Sequence, residues 1–143
     1  MLSREQIEAL IPHKGSMCLW DEVVAWDERS LRLRARNHVD PGHPLRSQGR
    51  LRAVHLCEYG AQAMAVHGGL RAQRSGEPVR PGLLVALRGV LLHCVQIDTL
   101  AGWIECEAEV LVEGDGSQQY SFRISHDGKL LAEGRAAVML QPL

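Results

Sequence analysis

A histidine in a proline- and glycine-rich turn and a glutamate at the head of a small-residue helix are the side chains of this sequence best suited to chemistry. The first is His38, within Asn37-His38-Val39-Asp40-Pro41-Gly42-His43-Pro44-Leu45. The second is Glu58, followed by Tyr59-Gly60-Ala61-Gln62-Ala63-Met64-Ala65. A neutral imidazole can take a proton near pH 7. A carboxyl kept protonated by dry surroundings can give one back. Burying a carboxylate on such a helix is costly unless something pairs with it or uses it. Together the two groups could move protons on and off adjacent carbons. Gln62, one helical turn beyond Glu58, is spaced to support it. His43 shares the turn with His38 and ranks second to it. His55, Glu58 and His67 could suggest a metal site, but the helix separates His55 from His67 by about 18 Å. No metal or other cofactor is expected.

The elements that must hold these groups follow from period and punctuation. Ser3 through Gln6 forms a capping box that opens a short helix ended by Pro12. Met17 to Trp26 is apolar and β-compatible, and Leu31 to Arg36 alternates strictly, with Leu31, Leu33 and Ala35 on one face and Arg32, Arg34 and Arg36 on the other. Asp27 to Ser30 is the polar turn of that hairpin. From about Leu51 to Arg74 apolar residues recur at helical spacing, and almost every residue from Gly60 to Gly69 is small or apolar. The helix is therefore expected to be buried nearly all round. A polar connection, Arg71 to Pro81, leads to four strands, Leu83 to Val95, Gly102 to Val112, Gln118 to Ser125 and Leu130 to Leu140, with turns at Glu113 to Gly116 and at Asp127-Gly128. Glu105, Glu107 and Glu109 alternate as the arginines do, so the two charged faces should lie side by side. Trp20, Trp26 and Trp103 are expected in the core or at sheet edges. The class is α+β: one domain over residues 1–143, a curved antiparallel sheet wrapped around one long helix.

Composition narrows the function. The chain has 143 residues, a formal net charge of −1 and only 4% aromatic residues. Neither a bulk attraction to nucleic acid nor exposed rings for base stacking is present. No segment approaches the ~18 apolar residues of a membrane span. The N-terminus carries acids and no long apolar run, so no export signal is expected. Cys18, Cys57, Cys94 and Cys106 sit in apolar runs without a C-x-x-C spacing. They are expected to be reduced thiols of a cytoplasmic protein.

Several motifs then line up in order. Ile11-Pro12-His13-Lys14 and Leu19-Trp20-Asp21-Glu22-Val23 resemble the L-P-H-R…L-V-D-R-V opening of the 3-hydroxyacyl carrier-protein dehydratases of fatty-acid synthesis. His38 to Pro44 resembles their H-F-P-G-N-P turn, with one extra residue. Glu58-x-x-x-Gln62-Ala63-Met64-Ala65 resembles their E-A-M-A-Q helix. Pro44-Leu45-Arg46 and E-Y-x-A-Q-A-M-A-V-H-G are closer still to the dehydratase-like proteins of aryl polyene biosynthesis.

The resemblance implies a hotdog fold of about six strands. It implies dehydration of 3-hydroxyacyl thioesters to trans-2-enoyl thioesters, with His38 as base, Glu58 as acid, and Gln62 and His43 in support. His43 stands where those proteins carry Asn, and His13 belongs to a motif whose histidine is usually structural. The substrate would ride on an acidic acyl carrier protein, docked by Arg46, Arg50, Arg52, Arg74 and Arg80 around the tunnel mouth. The fold implies a homodimer, or a heterodimer with a related subunit, in which the histidine of one chain faces the acid of the other. One departure keeps other readings open. Where the family has Pro-Gly before the helix, this chain has Arg52-Ala53, which alters the amide that would polarise the thioester carbonyl. A non-catalytic subunit that binds acyl chains or supports an active partner is one alternative, and a hotdog thioesterase is another.

Overall fold

The computed structural model describes residues 1–78, 80 and 82–142. Val79 and Pro81, at the end of the polar connection, and the terminal Leu143 lie outside the described residues.

The elements run α1 (Arg4–Glu8), β1 (Glu22–Trp26), β2 (Ser30–Ala35), α2 (Leu56–Ser75), β3 (Gly82–Leu92), β4 (Ile104–Gly114), β5 (Ser117–His126) and β6 (Lys129–Leu140). The strands form one antiparallel sheet in the order β1-β2-β4-β5-β6-β3, and α2 lies in its curve. This is the expected hotdog arrangement. The capping box of α1 is present, with Ser3 accepting from the Gln6 amide and the Gln6 side chain accepting from the Ser3 amide. At the β5–β6 turn both Asp127 (φ 49°) and Gly128 (φ 78°) are left-handed. That is the backbone a two-residue hairpin requires.

The charged faces meet as the alternation predicts. Arg32 stands opposite Glu107 and Arg34 opposite Glu105 in the β2–β4 register. Arg36 falls past the end of β2, and its guanidinium lies 4.5 Å from the Trp103 ring centroid, with that of Arg34 at 4.2 Å. Of the cysteines, Cys18 and Cys106 are buried, Cys57 and Cys94 half-buried, and all four are free.

Two expectations change. The β-compatible run from Met17 to Trp26 is a strand only from Glu22; Gly15–Met17 makes a short 3-10 turn, and Gln62 of α2 holds the segment after it through Met17 O and the Leu19 amide. The second change concerns α2. Its buried face carries Leu56, Tyr59, Gly60, Ala63, Val66, His67 and Leu70, at helical spacing. Glu58, Ala61, Ala65, Gly68 and Ala72 remain half-exposed as a second stripe. One six-stranded sheet covers one side of a helix, so burial all round needs something beyond this chain. No helix among the described residues is long and apolar enough to cross a membrane.

The sheet touches α2 most closely at Phe122, the one phenylalanine. A Cβ added at Gly60 would come within 2.9 Å of its ring, and one at Gly134 of β6 within 3.1 Å. Gly60 and Gly134 therefore hold the ring from opposite elements. Gly68, by contrast, faces open space. Gly60→Ala is expected to lower stability by about 1–3 kcal/mol through overpacking, an effect larger than its helix-propensity gain. Gly68→Ala in the isolated chain should raise stability by roughly 1 kcal/mol. Thermal melts of the two variants check this, and equal shifts would overturn the packing described.

Candidate functional site

The turn that carries His38 is held from three sides. Asn37 to Val39 forms a single 3-10 turn that closes on Asp40, whose amide donates to Asn37 O. Arg46 reaches back across the turn and donates to Asp40 O at 2.8 Å, Gly49 O at 2.9 Å and His38 O at 3.3 Å. Tyr59 rises from α2 into the same loop.

His38 itself is fully buried. Its Nε2 lies 2.6 Å from Leu100 O. A carbonyl can only accept, so Nε2 carries the proton and Nδ1 the lone pair. Nδ1 is buried and has no hydrogen-bond partner among the described residues. Burial, opposed by the Leu100 bond, holds the ring below the ordinary histidine range, so it is neutral at pH 7. The result is a desolvated imidazole with one bare nitrogen, the state a general base requires.

His43 is different. The Leu45 amide donates to its Nδ1 at 3.1 Å, and its Nε2 lies 2.9 Å from the Tyr59 hydroxyl. Both nitrogens are engaged, and burial pushes its pKa down to about 4. His43 is spent on holding the loop.

Glu58 begins the open stripe of α2. Its side chain is 43% exposed, and its Oε1 lies 3.9 Å from His13 Nε2. Gln62 approaches Oε1 at 3.5 Å, a long contact beside the shorter bonds that Gln62 makes to Met17 O at 2.8 Å and from the Leu19 amide at 2.9 Å. Gln62 thus fixes the 17–19 segment first and meets Glu58 second. His13, which the sequence motif marks as structural, is here the histidine that shares a cavity with Glu58.

That cavity, about 580 Å³, follows the open stripe of α2 from Glu58 to Ser75, about 25 Å. Leu10, Met64, Ala65, Leu84, Val138 and Leu140 make it largely apolar. Its far end carries Arg71, which pairs with Glu113 and with Glu28 at 3.4 Å. His38 and His43 are not among its lining residues. Within one chain the two proposed catalytic groups therefore stand apart, and no hydrogen bond or ion pair among the described residues joins them.

The arginines divide likewise. Arg46 is consumed by the His38 loop. Arg50 donates to Gln96 at 3.1 Å, and Arg52 is exposed at the head of α2. Arg74 stacks on Trp26 and pairs with Glu28, and Arg80 donates to Gln141 O. The two groups lie at opposite ends of α2, roughly 30 Å apart, so they do not ring one mouth within a single chain. The Ala53 amide, in the Arg52-Ala53 step before α2, donates to Val95 O at 2.9 Å.

Sequence reasoning passed over Tyr59. The signal was available: a tyrosine on the buried face of a small-residue helix must find a partner for its hydroxyl, and a loop with Asn37 and His43 offers two.

Comparison with known proteins follows the same lines. The family described as ApeP-like, ApeP dehydratase, matches residues 5–142. Among solved structures the chain resembles the dehydratase heterocomplex ApeI:P from Xenorhabdus doucetiae, with a TM-score of 0.86, 21% identity and coverage of 99% of this chain and 93% of that one. It also resembles a mutant of thioesterase PA1618 from Pseudomonas aeruginosa, with a TM-score of 0.71, 17% identity and coverage of 100% and 96%. AziG from S. sahachiroi matches with a TM-score of 0.63, 14% identity and coverage of 85% and 91%. No curated protein matches.

Proposed function

The chain belongs to the ApeP-like dehydratase family, and from that premise we propose that it dehydrates 3-hydroxyacyl thioesters on acyl carrier protein, in aryl polyene or fatty-acid-like synthesis, as one subunit of a hotdog pair. The observation that carries this reading is the bare, buried Nδ1 of His38. His43 has both nitrogens engaged, whereas His13 also leaves a buried Nδ1 unpartnered among the described residues but turns its Nε2 towards Glu58 in the cavity.

In the proposed reaction His38 Nδ1 takes a proton from C2 of the substrate. The C2–H electron pair becomes the C2–C3 double bond, and the C3–O bond breaks. Glu58 of the facing subunit gives its proton to the departing oxygen, so water leaves on the same face. A carboxyl can do this only if it is partly protonated, which needs desolvation. The isolated chain leaves Glu58 too wet. A second subunit laid on the open stripe of α2 would dry it and would close the cavity beside it.

The edge strand supports such a partner. β3 exposes Leu83, Leu84, Val85, Leu87, Leu91 and Leu92, from 39% to 57% each, and its outer edge is unpaired. Two β3 edges joined antiparallel would make one continuous sheet and lay the two α2 helices side by side. Antiparallel helices would also bring Arg50 and Arg52 of one chain near Arg74 and Arg80 of the other, where an acidic carrier could dock. A reaction on carrier-bound acyl chains places the protein in the cytoplasm.

A second reading rests on its own observation. The Ala53 amide is already bonded to Val95 O and is not free to polarise a thioester carbonyl, which favours a subunit that supports an active partner. The deciding assay supplies 3-hydroxyacyl carrier protein to the chain alone, to its hotdog partner alone and to the pair. Ultraviolet absorbance reads the conjugated enoyl product, and a thiol reagent reads hydrolysis. Enoyl product from the pair supports the proposal. Free thiol in its place would identify a thioesterase, and product at the same rate from the partner alone would end the role of this chain in turnover.

A further inference from the structure

We propose that Tyr59 is the positioning residue of the dehydratase base: its hydroxyl locks the His38 loop onto the helix that carries Glu58. This rests on the reading of His38 as base.

A hydrogen-bond chain, its direction fixed at each step, ties the loop to α2. The Leu45 amide donates to His43 Nδ1 at 3.1 Å, so Nδ1 is unprotonated. His43 Nε2–H must then donate to the Tyr59 oxygen, 2.9 Å away. The Tyr59 hydroxyl spends its one proton on Asn37 Oδ1 at 2.7 Å. Asn37 Nδ2 donates onward to Leu19 O at 2.6 Å. Each link runs from a donor to an acceptor, and Tyr59 is the central one. The ring is immobilised as well: Trp20 packs edge-on at 5.2 Å and donates from Nε1 to Tyr59 O at 2.8 Å, and the His43 ring stacks at 6.0 Å.

Asn37 immediately precedes His38. With Asn37 pinned, the His38 ring reaches Leu100 O and keeps its proton on Nε2. Without the Tyr59 hydroxyl, His43 Nε2–H would be left unpaired at a buried site and Asn37 Oδ1 at a half-buried one, at a cost to the closed loop. The loop would relax into water to satisfy them. Tyr59 and Glu58 are neighbours on α2, so the same helix fixes the base loop and the acid of one chain, which serve different composite sites in a pair.

The test is Tyr59→Phe in this chain, assembled with its hotdog partner and given 3-hydroxyacyl carrier protein. Phenylalanine keeps the packing and removes only the oxygen. The expected result is a fall in kcat of tenfold or more with KM near the parent value. The acidic limb of the kcat/KM profile should move to higher pH, because a hydrated His38 is easier to protonate. The titratable groups that act on His38 are His126 on β5, Arg46 in the loop and Asp21 before β1, and none of them is altered. Amide exchange of residues 38–45, read on the same protein, should accelerate.

Parent values of kcat, pH limb and exchange together would overturn the inference. A lower melting temperature with an unmoved limb and unmoved exchange would also overturn it, by making Tyr59 a packing residue only. Asn37→Ala removes the next link and carries the same three readouts if Tyr59→Phe does not assemble. Glu58→Gln, run in parallel, separates the two claims. Undiminished turnover there refutes the assigned reaction, whereas faster exchange in Tyr59→Phe tests the lock independently of turnover.

Discussion

Glu58→Gln in this chain is expected to slow enoyl formation by about 10²–10⁴-fold, the usual worth of a positioned general acid. Glutamine keeps the length and shape of the side chain, and the neighbours His13 and Gln62 stay in place. Only the transferable proton is lost, so KM should hardly move. A second variant, His38→Asn, removes the proposed base. If each site takes its histidine from one chain and its acid from the other, the two variants damage different composite sites in a mixed pair. In a homodimer each alone abolishes both sites. Mixing the two variant chains would then restore one intact site in every mixed dimer, with both lesions gathered in the other. Recovered turnover on mixing is the expected result. Failure to recover, with mixed dimers demonstrated, would show that the two groups do not meet across the interface. In a heterodimer where only one composite site works, only one of the two substitutions is damaging, and its identity tells which chain supplies the base.

How much of this the sequence makes legible depends on the range of each interaction. The Arg32 and Arg34 face opposite Glu107 and Glu105 was legible because period-two alternation is local and both strands carried it. Arg36 broke the pattern only because β2 stops at Ala35, which the side chains themselves do not announce. The start of α2 was placed at about Leu51, five residues early. The segment before it is tied to a distant loop through the isolated Arg52–Gln96 bridge, with Ala53 N bonded to Val95 O and Ile97 N to Leu51 O, and Ala53–His55 then makes a single 3-10 turn. Long-range pairing of that kind has no local signature. The buried face of α2 is legible in the helical spacing of its apolar residues, but the extent of burial is not, because alanines and glycines suit a helix covered by its own sheet or by a second chain. Ala61, Ala65 and Gly68 are left open by this chain's own sheet, and the proposed partner would cover them. Gln62 was expected beside Glu58 and is found there, but its stronger bonds go to Met17 and Leu19, a partnership set by the fold across more than forty residues of sequence.

The partner surface has the largest predicted effect on the molecule as a whole. Val85→Lys together with Leu87→Lys should disassemble the pair while leaving the chain folded. In the isolated chain these side chains are already 48% and 39% exposed, so replacing them costs the monomer little. In a paired sheet the same positions would be desolvated, and lysine on an edge strand is a natural guard against pairing. Loss of two apolar contacts, at about 1.5–3 kcal/mol for full burial of each, comes on top of the cost of burying charge. At ~1.4 kcal/mol per tenfold, a hundredfold weaker association is a modest expectation. Size-exclusion mass and far-ultraviolet dichroism report assembly and fold separately. Turnover should fall with assembly and return as the partner concentration is raised, which distinguishes this variant from Glu58→Gln, whose loss no amount of partner can repair. An assembly unmoved by the two lysines would locate the subunit contact elsewhere. It would also remove the stated reason for the apolar edge of β3 and for the uncovered stripe of α2, because the same second chain is required to answer for both.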